Sequence, residues 1–104
     1  MIQVMVIRSN GKWETREHQE EPQLEDLQAL VGGYIEMVPM RFKFAGKPAV
    51  MYVNEDGLQK KLPPNEAASS LCGGFYTIVG TAVLVQISEG AADLLKRRTE
   101  GGAT

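Results

Sequence analysis

The chain has 104 residues, 43% hydrophobic and 23% charged, with a formal net charge of −2. That length suits one domain with a thin but real core, and the acidic balance leaves no basic excess to neutralise a run of phosphates, which argues against duplex nucleic acid. A small nucleotide is not excluded, because a few local donors suffice for one. The lone cysteine, Cys72, rules out an intrachain disulfide and fits a reducing compartment.

Ile2 to Arg8 is rich in β-branched residues, with Ile2, Val4 and Val6 on one face and Gln3, Met5 and Ile7 on the other. It reads as a first strand and not as a signal peptide. Asn10-Gly11 follows, a dipeptide that favours a type I′ turn, and Lys12 to His18 reads as the polar partner of a hairpin. Glu20, Glu21 and Pro22 predict a helix start, since proline in the first turn loses no hydrogen bond and acids favour the dipole there. Leu24, Leu27, Leu30 and Val31 keep helical spacing, and Gly32-Gly33 is a stop.

Tyr34 to Val38 is a strand that Pro39 ends or marks as an edge. Arg41 to Val53 reads as a second hairpin, turning at Ala45-Gly46-Lys47-Pro48. Asn54 to Leu62 is a loop, and a second short helix runs from about Asn65, a good N-cap, to Leu71. Gly73-Gly74 stops it. Thr77 to Ile87 is the most apolar strand, suited to a central position covered on both faces, with Gly80 marking a bulge or a close backbone approach. Ser88 can cap a last helix, Glu89 to Arg98, and residues 99–104 read as a flexible tail. The order describes one α+β domain over residues 1–98: a mixed, mostly antiparallel sheet with an N-terminal hairpin and two to three short helices.

Chemistry is sparse. One histidine and one cysteine cannot build a zinc site from nitrogen and sulfur alone, and "NEDG" lacks the calcium-loop pattern. Cys72 follows a helix instead of opening one, so packing is its better reading. His18 reads as a solvated surface residue. Ser69 and Ser70 have no adjacent base, and no triad assembles. Neither Gly-Gly pair precedes a helix, as a phosphate cradle requires. The residues thus name no catalytic group, metal or cofactor.

Two features survive. Glu36 sits inside the apolar strand "YIEMV"; facing solvent it is ordinary alternation, the favoured reading, and facing inward it would need a partner. The stretch "NEDGLQKKLPPNEA" offers a tight turn with Gly57 at positive φ, the cations Lys60 and Lys61, and a helix capped by Asn65, whose amides with those lysines could hold an anion. On physics alone it is a strand–turn–helix connection whose residues satisfy backbone groups.

The segments "LVGGYIEMV", "YVNEDGLQKKLPPNEAASSL" and "IVGTAVLV" resemble a family of small phage and bacterial proteins of unknown function with the pattern YIE…NEDGL…PxN…IxGxxV, matched over roughly Leu30 to Val85. Gly33, Tyr34, Glu36, Asn54, Glu55, Asp56, Gly57, Asn65 and Ala68 are the matching positions. The resemblance implies a cytoplasmic context (the host cytoplasm if phage-encoded), with action by binding, either covering a host protein or trapping a nucleotide signal of anti-phage immunity. That last step is analogy by size and origin.

The leading expectation is therefore a non-enzymatic, homo-oligomeric protein that sequesters a small anionic, nucleotide-like ligand, without a membrane or duplex nucleic acid as partner. Lys60, Lys61 and amides near Asn65 would hold phosphate; Tyr34 or Tyr52 would stack on a base; Glu36, Asn54, Glu55 and Asp56 would complete the site. The alternative is an inhibitor or regulator of a host defence protein, binding through the exposed aromatics Trp13 and Phe42. A hydrolase with a metal on Glu36, Glu55 and Asp56 ranks last.

Overall fold

The computed structural model describes residues 1–88, 90 and 91. The tail 99–104 and all of the last predicted helix but Gly90 and Ala91 lie outside the described residues. Strands β1 (Ile2–Ile7) and β2 (Trp13–His18) form the N-terminal hairpin, and helix α1 (Leu24–Val31) follows. Then come β3 (Ile35–Met37), β4 (Phe42–Phe44), β5 (Lys47–Asn54), α2 (Glu66–Leu71) and β6 (Ala82–Gln86). The sheet has six strands in the order β2-β1-β6-β5-β3, with β4 also on β5. Every described pairing is antiparallel.

β6 is the central strand, and all five of its residues are buried. Its alternation divides the core. Ala82 and Leu84 join Ile7, Met51, Ala68 and Cys72 on the face covered by α2. Val83 and Val85 join Val4, Val50, Leu27 and Val31 on the face covered by α1. Burying one Val or Leu side chain contributes about 1.5–3 kcal/mol, so this strand anchors both layers. Gln86 ends it by accepting from Gln3 N at 2.9 Å and donating to Phe44 O at 2.7 Å.

The first turn differs from the expected two-residue type I′. Arg8 N bonds Lys12 O at 2.8 Å and Gly11 N bonds Arg8 O at 3.0 Å, with Gly11 but not Asn10 at positive φ. This is a three-residue loop closed by a left-handed glycine, and the Asn10 side chain takes Lys12 N at 2.9 Å. The type I′ geometry falls instead on the second hairpin, where Ala45 (φ 52°) and Gly46 (φ 76°) lie between the paired Phe44 and Lys47. Lys47 and Pro48 already belong to β5.

Two boundaries also move. α1 begins after Gln23, whose N–H reaches Asp26 Oδ2 at 3.3 Å, so Pro22 precedes the helix. The last strand is only Ala82–Gln86, because residues 78–80 pair with the segment before α2. Asn65 N donates to Ile78 O at 2.8 Å and Gly80 N to Pro63 O at 2.7 Å. At the far end Ala91 N donates to Ser88 Oγ at 3.1 Å, the cap expected of that serine.

Candidate functional site

The turn after β5 is built by Asn54, which is 5% exposed. Its Oδ1 accepts from Asp56 N at 2.8 Å, the local bond of an asparagine-led turn. Its Nδ2 donates to Val31 O at 3.1 Å, tying the turn to the end of α1. Space for this amide comes from Gly33: a Cβ there would stand 2.9 Å from Asn54 Nδ2 and 3.1 Å from Lys60 Nζ. The Lys60 ammonium thus lies beside Gly33, just past the C-terminal end of α1, whose own last turn has no basic residue. A cation there complements the helix dipole.

Gly57 corrects an expectation. It is buried and not at positive φ; a Cβ on it would meet Val79 Cγ2 at 2.9 Å. The glycine permits close approach, and Lys61 carries the left-handed kink instead, at φ 54°. Asn65 is 1% exposed with its amide fully used. Oδ1 accepts from Ala68 N at 3.1 Å, while Nδ2 donates to Ile7 O at 2.9 Å and to Gly80 O at 2.8 Å. It caps a helix of six residues and offers no side-chain donor to a ligand.

The packing of the turn on the segment before β6 leaves a cleft of about 210 Å³. Val38, Val53 and Ile78 form its apolar floor, at the margin of the α2-side core. Leu58 and Tyr76 stand on its walls, 74% and 38% exposed. Glu36 and Glu55 supply its carboxylates, and no Lys, Arg or His lines it. Glu36 alternates outward between Ile35 and Met37, as expected of a half-wet sheet.

Of the residues proposed from sequence, Glu36, Asn54 and Glu55 therefore meet in the cleft. Tyr34 and Lys60 gather at the neighbouring corner, where Glu55 N bonds Tyr34 O at 2.9 Å. Tyr52 packs on the opposite face against the α1-side core, where burial and then the charge of Glu21 raise its phenol pKa. Lys61 and Asp56 do not line the cleft. Phe42, expected at the surface, is 9% exposed in the α2-side core, because β4 turns it toward Ala49 and Met51. Among the described residues no group of three or more His, Cys, Asp or Glu could hold a metal ion, so Glu36, Glu55 and Asp56 do not converge on one. Leu58, Phe75 and Tyr76 were missed. Their signal was present as a leucine in a polar turn and an aromatic pair after Gly73-Gly74.

These features define a small single-domain α+β protein with an acid-rimmed cleft beside one sheet edge. The chain belongs to the family described as Domain of unknown function (DUF3846), whose model matches residues 2–100 and so takes in the N-terminal hairpin. No curated protein and no solved structure matches it. Among the described residues no helix is long and apolar enough to cross a membrane.

Proposed function

We propose that this protein is a non-enzymatic binding module whose cleft takes a basic, apolar-anchored segment of a partner protein. One observation carries the reading: Glu36 and Glu55 flank an apolar floor with no cation among its lining residues. A phosphate held about 5 Å from either carboxylate would lose about 1–3 kcal/mol, whereas an ammonium or guanidinium would gain as much. Leu58 and Tyr76 add exposed apolar surface to its walls, of the kind that anchors interfaces. The motif shared with the resembling family is read as mostly architectural: Gly33, Asn54, Gly57 and Asn65 serve the fold, and Glu36 and Glu55 serve the cleft. A cytoplasmic partner, such as a host defence protein, belongs to the same proposal.

The test is selection from a displayed random-peptide library on the immobilised protein. Enrichment of peptides pairing Lys or Arg with Leu or Phe, lost in Glu36→Lys/Glu55→Lys, supports the reading. Acidic winners, or winners indifferent to both substitutions, sink it.

Sequestration of a nucleotide is the second reading, supported by the 68% exposed Tyr34 ring beside the Lys60 corner. Thermal shifts with cyclic and linear nucleotides test it, followed by denaturation and identification of the released ligand. Intact ligand with a large shift supports sequestration; a chemically altered ligand replaces it with an enzyme.

A further inference from the structure

The two ends of the sheet are built differently. On one side the outer strand β3 has three residues and Pro39 follows two positions later, a short edge of the kind that resists further pairing. On the other side β2 has six residues without proline, five of them exposed. Arg8 N bonds Lys12 O across the hairpin, and β1 and β2 pair with Val6 opposite Glu14 and Val4 opposite Arg16. Alternation along an antiparallel ladder then turns the backbone groups of Glu14 and Arg16 inward and those of Trp13, Thr15 and Glu17 outward. Gln3 N, which points away from β2 toward Gln86, agrees with this phase.

We propose that β2 is a self-pairing edge through which two copies of this chain join, antiparallel, about a two-fold axis at Thr15. In that register Thr15 faces Thr15 of the second copy, and Trp13 faces Glu17. Glu14 faces Arg16 twice, once on each side of the axis. Charge selects this register: a shift of two residues one way opposes Glu14 to Glu14, and the other way Arg16 to Arg16, and like charges facing across strands are destabilising. Within one copy Glu14 Oε1 accepts from Arg8 at 3.0 Å and from Arg16 at 2.9 Å, which holds both side chains of the selective pair on one face. Trp13, 63% exposed, gains a cross-strand neighbour. The cleft lies at the opposite edge of the sheet, so pairing leaves both clefts open and yields a bivalent binder.

Sedimentation equilibrium of the full chain up to about 0.5 mM tests this, since one strand edge is a small interface and micromolar association is the expected range. The wild type forms a dimer. Thr15→Pro removes an outward N–H, costs no internal ladder bond, and leaves a folded monomer by circular dichroism. Arg16→Glu weakens association about tenfold or more, because the altered contact occurs twice per dimer. Glu14→Arg/Arg16→Glu reverses both partners and restores it. A monomeric wild type, a dimer that survives Thr15→Pro, or a double reversal that fails to recover association would each overturn the proposal. Should Thr15→Pro not fold, the reversal pair decides alone.

Discussion

The side-chain amide of Asn65 donates to the carbonyl of Gly80 at 2.8 Å, across fifteen residues of chain, while its second hydrogen bond reaches Ile7 O on β1. One buried side chain thereby joins the hairpin, the start of α2 and the approach to β6. Asn65→Ala removes the cap and leaves two buried carbonyls without that donor, so a loss of about 3–4 kcal/mol is expected in urea unfolding. Asn65→Asp keeps the capping oxygen but points a carboxylate at both carbonyls. It should cost more than the alanine at neutral pH, and recover part of the difference on acidification. Equal or smaller loss in Asn65→Asp would show that the cap alone matters.

Gly33 and Asn54 form a coupled pair. Gly33→Ala should destabilise by about 1–3 kcal/mol through crowding, since its φ is not in the left-handed region. Asn54→Ala should cost about 2 kcal/mol by freeing Val31 O and the turn. In the double variant the Cβ no longer meets the amide, so the combined loss should fall short of the sum. Strict additivity in a double-mutant cycle would refute the contact.

Ala45 occupies the first position of a type I′ turn at φ 52°. Asparagine accepts that conformation more readily. Ala45→Asn should therefore raise stability by about 0.5–1 kcal/mol, read as a higher melting temperature with an unchanged far-UV spectrum. No gain would mean that the turn is held by its flanking strands regardless of residue.

Burial raises the Cys72 thiol above its ordinary value of 9.0. The folded state therefore favours the protonated form. That contribution is present below the ordinary value and is lost as pH rises through the folded one, as the unfolded thiol ionises first. Native protein should resist a thiol reagent at neutral pH and react at once in denaturant, with stability declining above about pH 9. Rapid labelling of the native state would contradict the buried placement.

Glu14 carries the opposite sign. Hydrogen bonds from Arg16 and then Arg8 hold its carboxyl below the ordinary 4.5. Its small stabilisation is present above that value and fades as pH falls through the folded one, more weakly in high salt. A carboxyl titration followed by NMR should give a depressed midpoint that returns toward normal in Arg16→Gln.

Much of the framework was legible along the chain. Period-two alternation in Ile2–Ile7 and the unbroken apolar run of residues 82–85 announced a hairpin strand and a central strand, because burial on one or both faces writes itself into local pattern. Gly32 and Asn65 announced a helix stop and a helix cap for the same local reason. Turn geometry was less legible. The type I′ turn expected at Asn10-Gly11 lies at Ala45-Gly46 instead, since loop length is set by register with partner strands. Gly57 read as a turn glycine at positive φ, and Gly80 as a bulge or a close backbone approach inside a strand. Gly57 instead gives Val79 room, whereas Gly80 does stand close to Leu62 and also takes φ 74°, and contacts with residues distant along the chain carry no local mark.

The sequence by itself determined the class: one small α+β domain with acids and lysines around a capped turn. Only tertiary structure decided what those residues do. Asn54 and Asn65 became buried ties because their amides found carbonyls of α1, β1 and the approach to β6, and the Asn65 amide, with both of its N–H groups donated, has none left for a ligand. Lys60 lies near the negative end of α1, while Glu36 and Glu55 line an apolar cleft. The charge a partner would meet was therefore set by which side chains the fold consumed and which it left over.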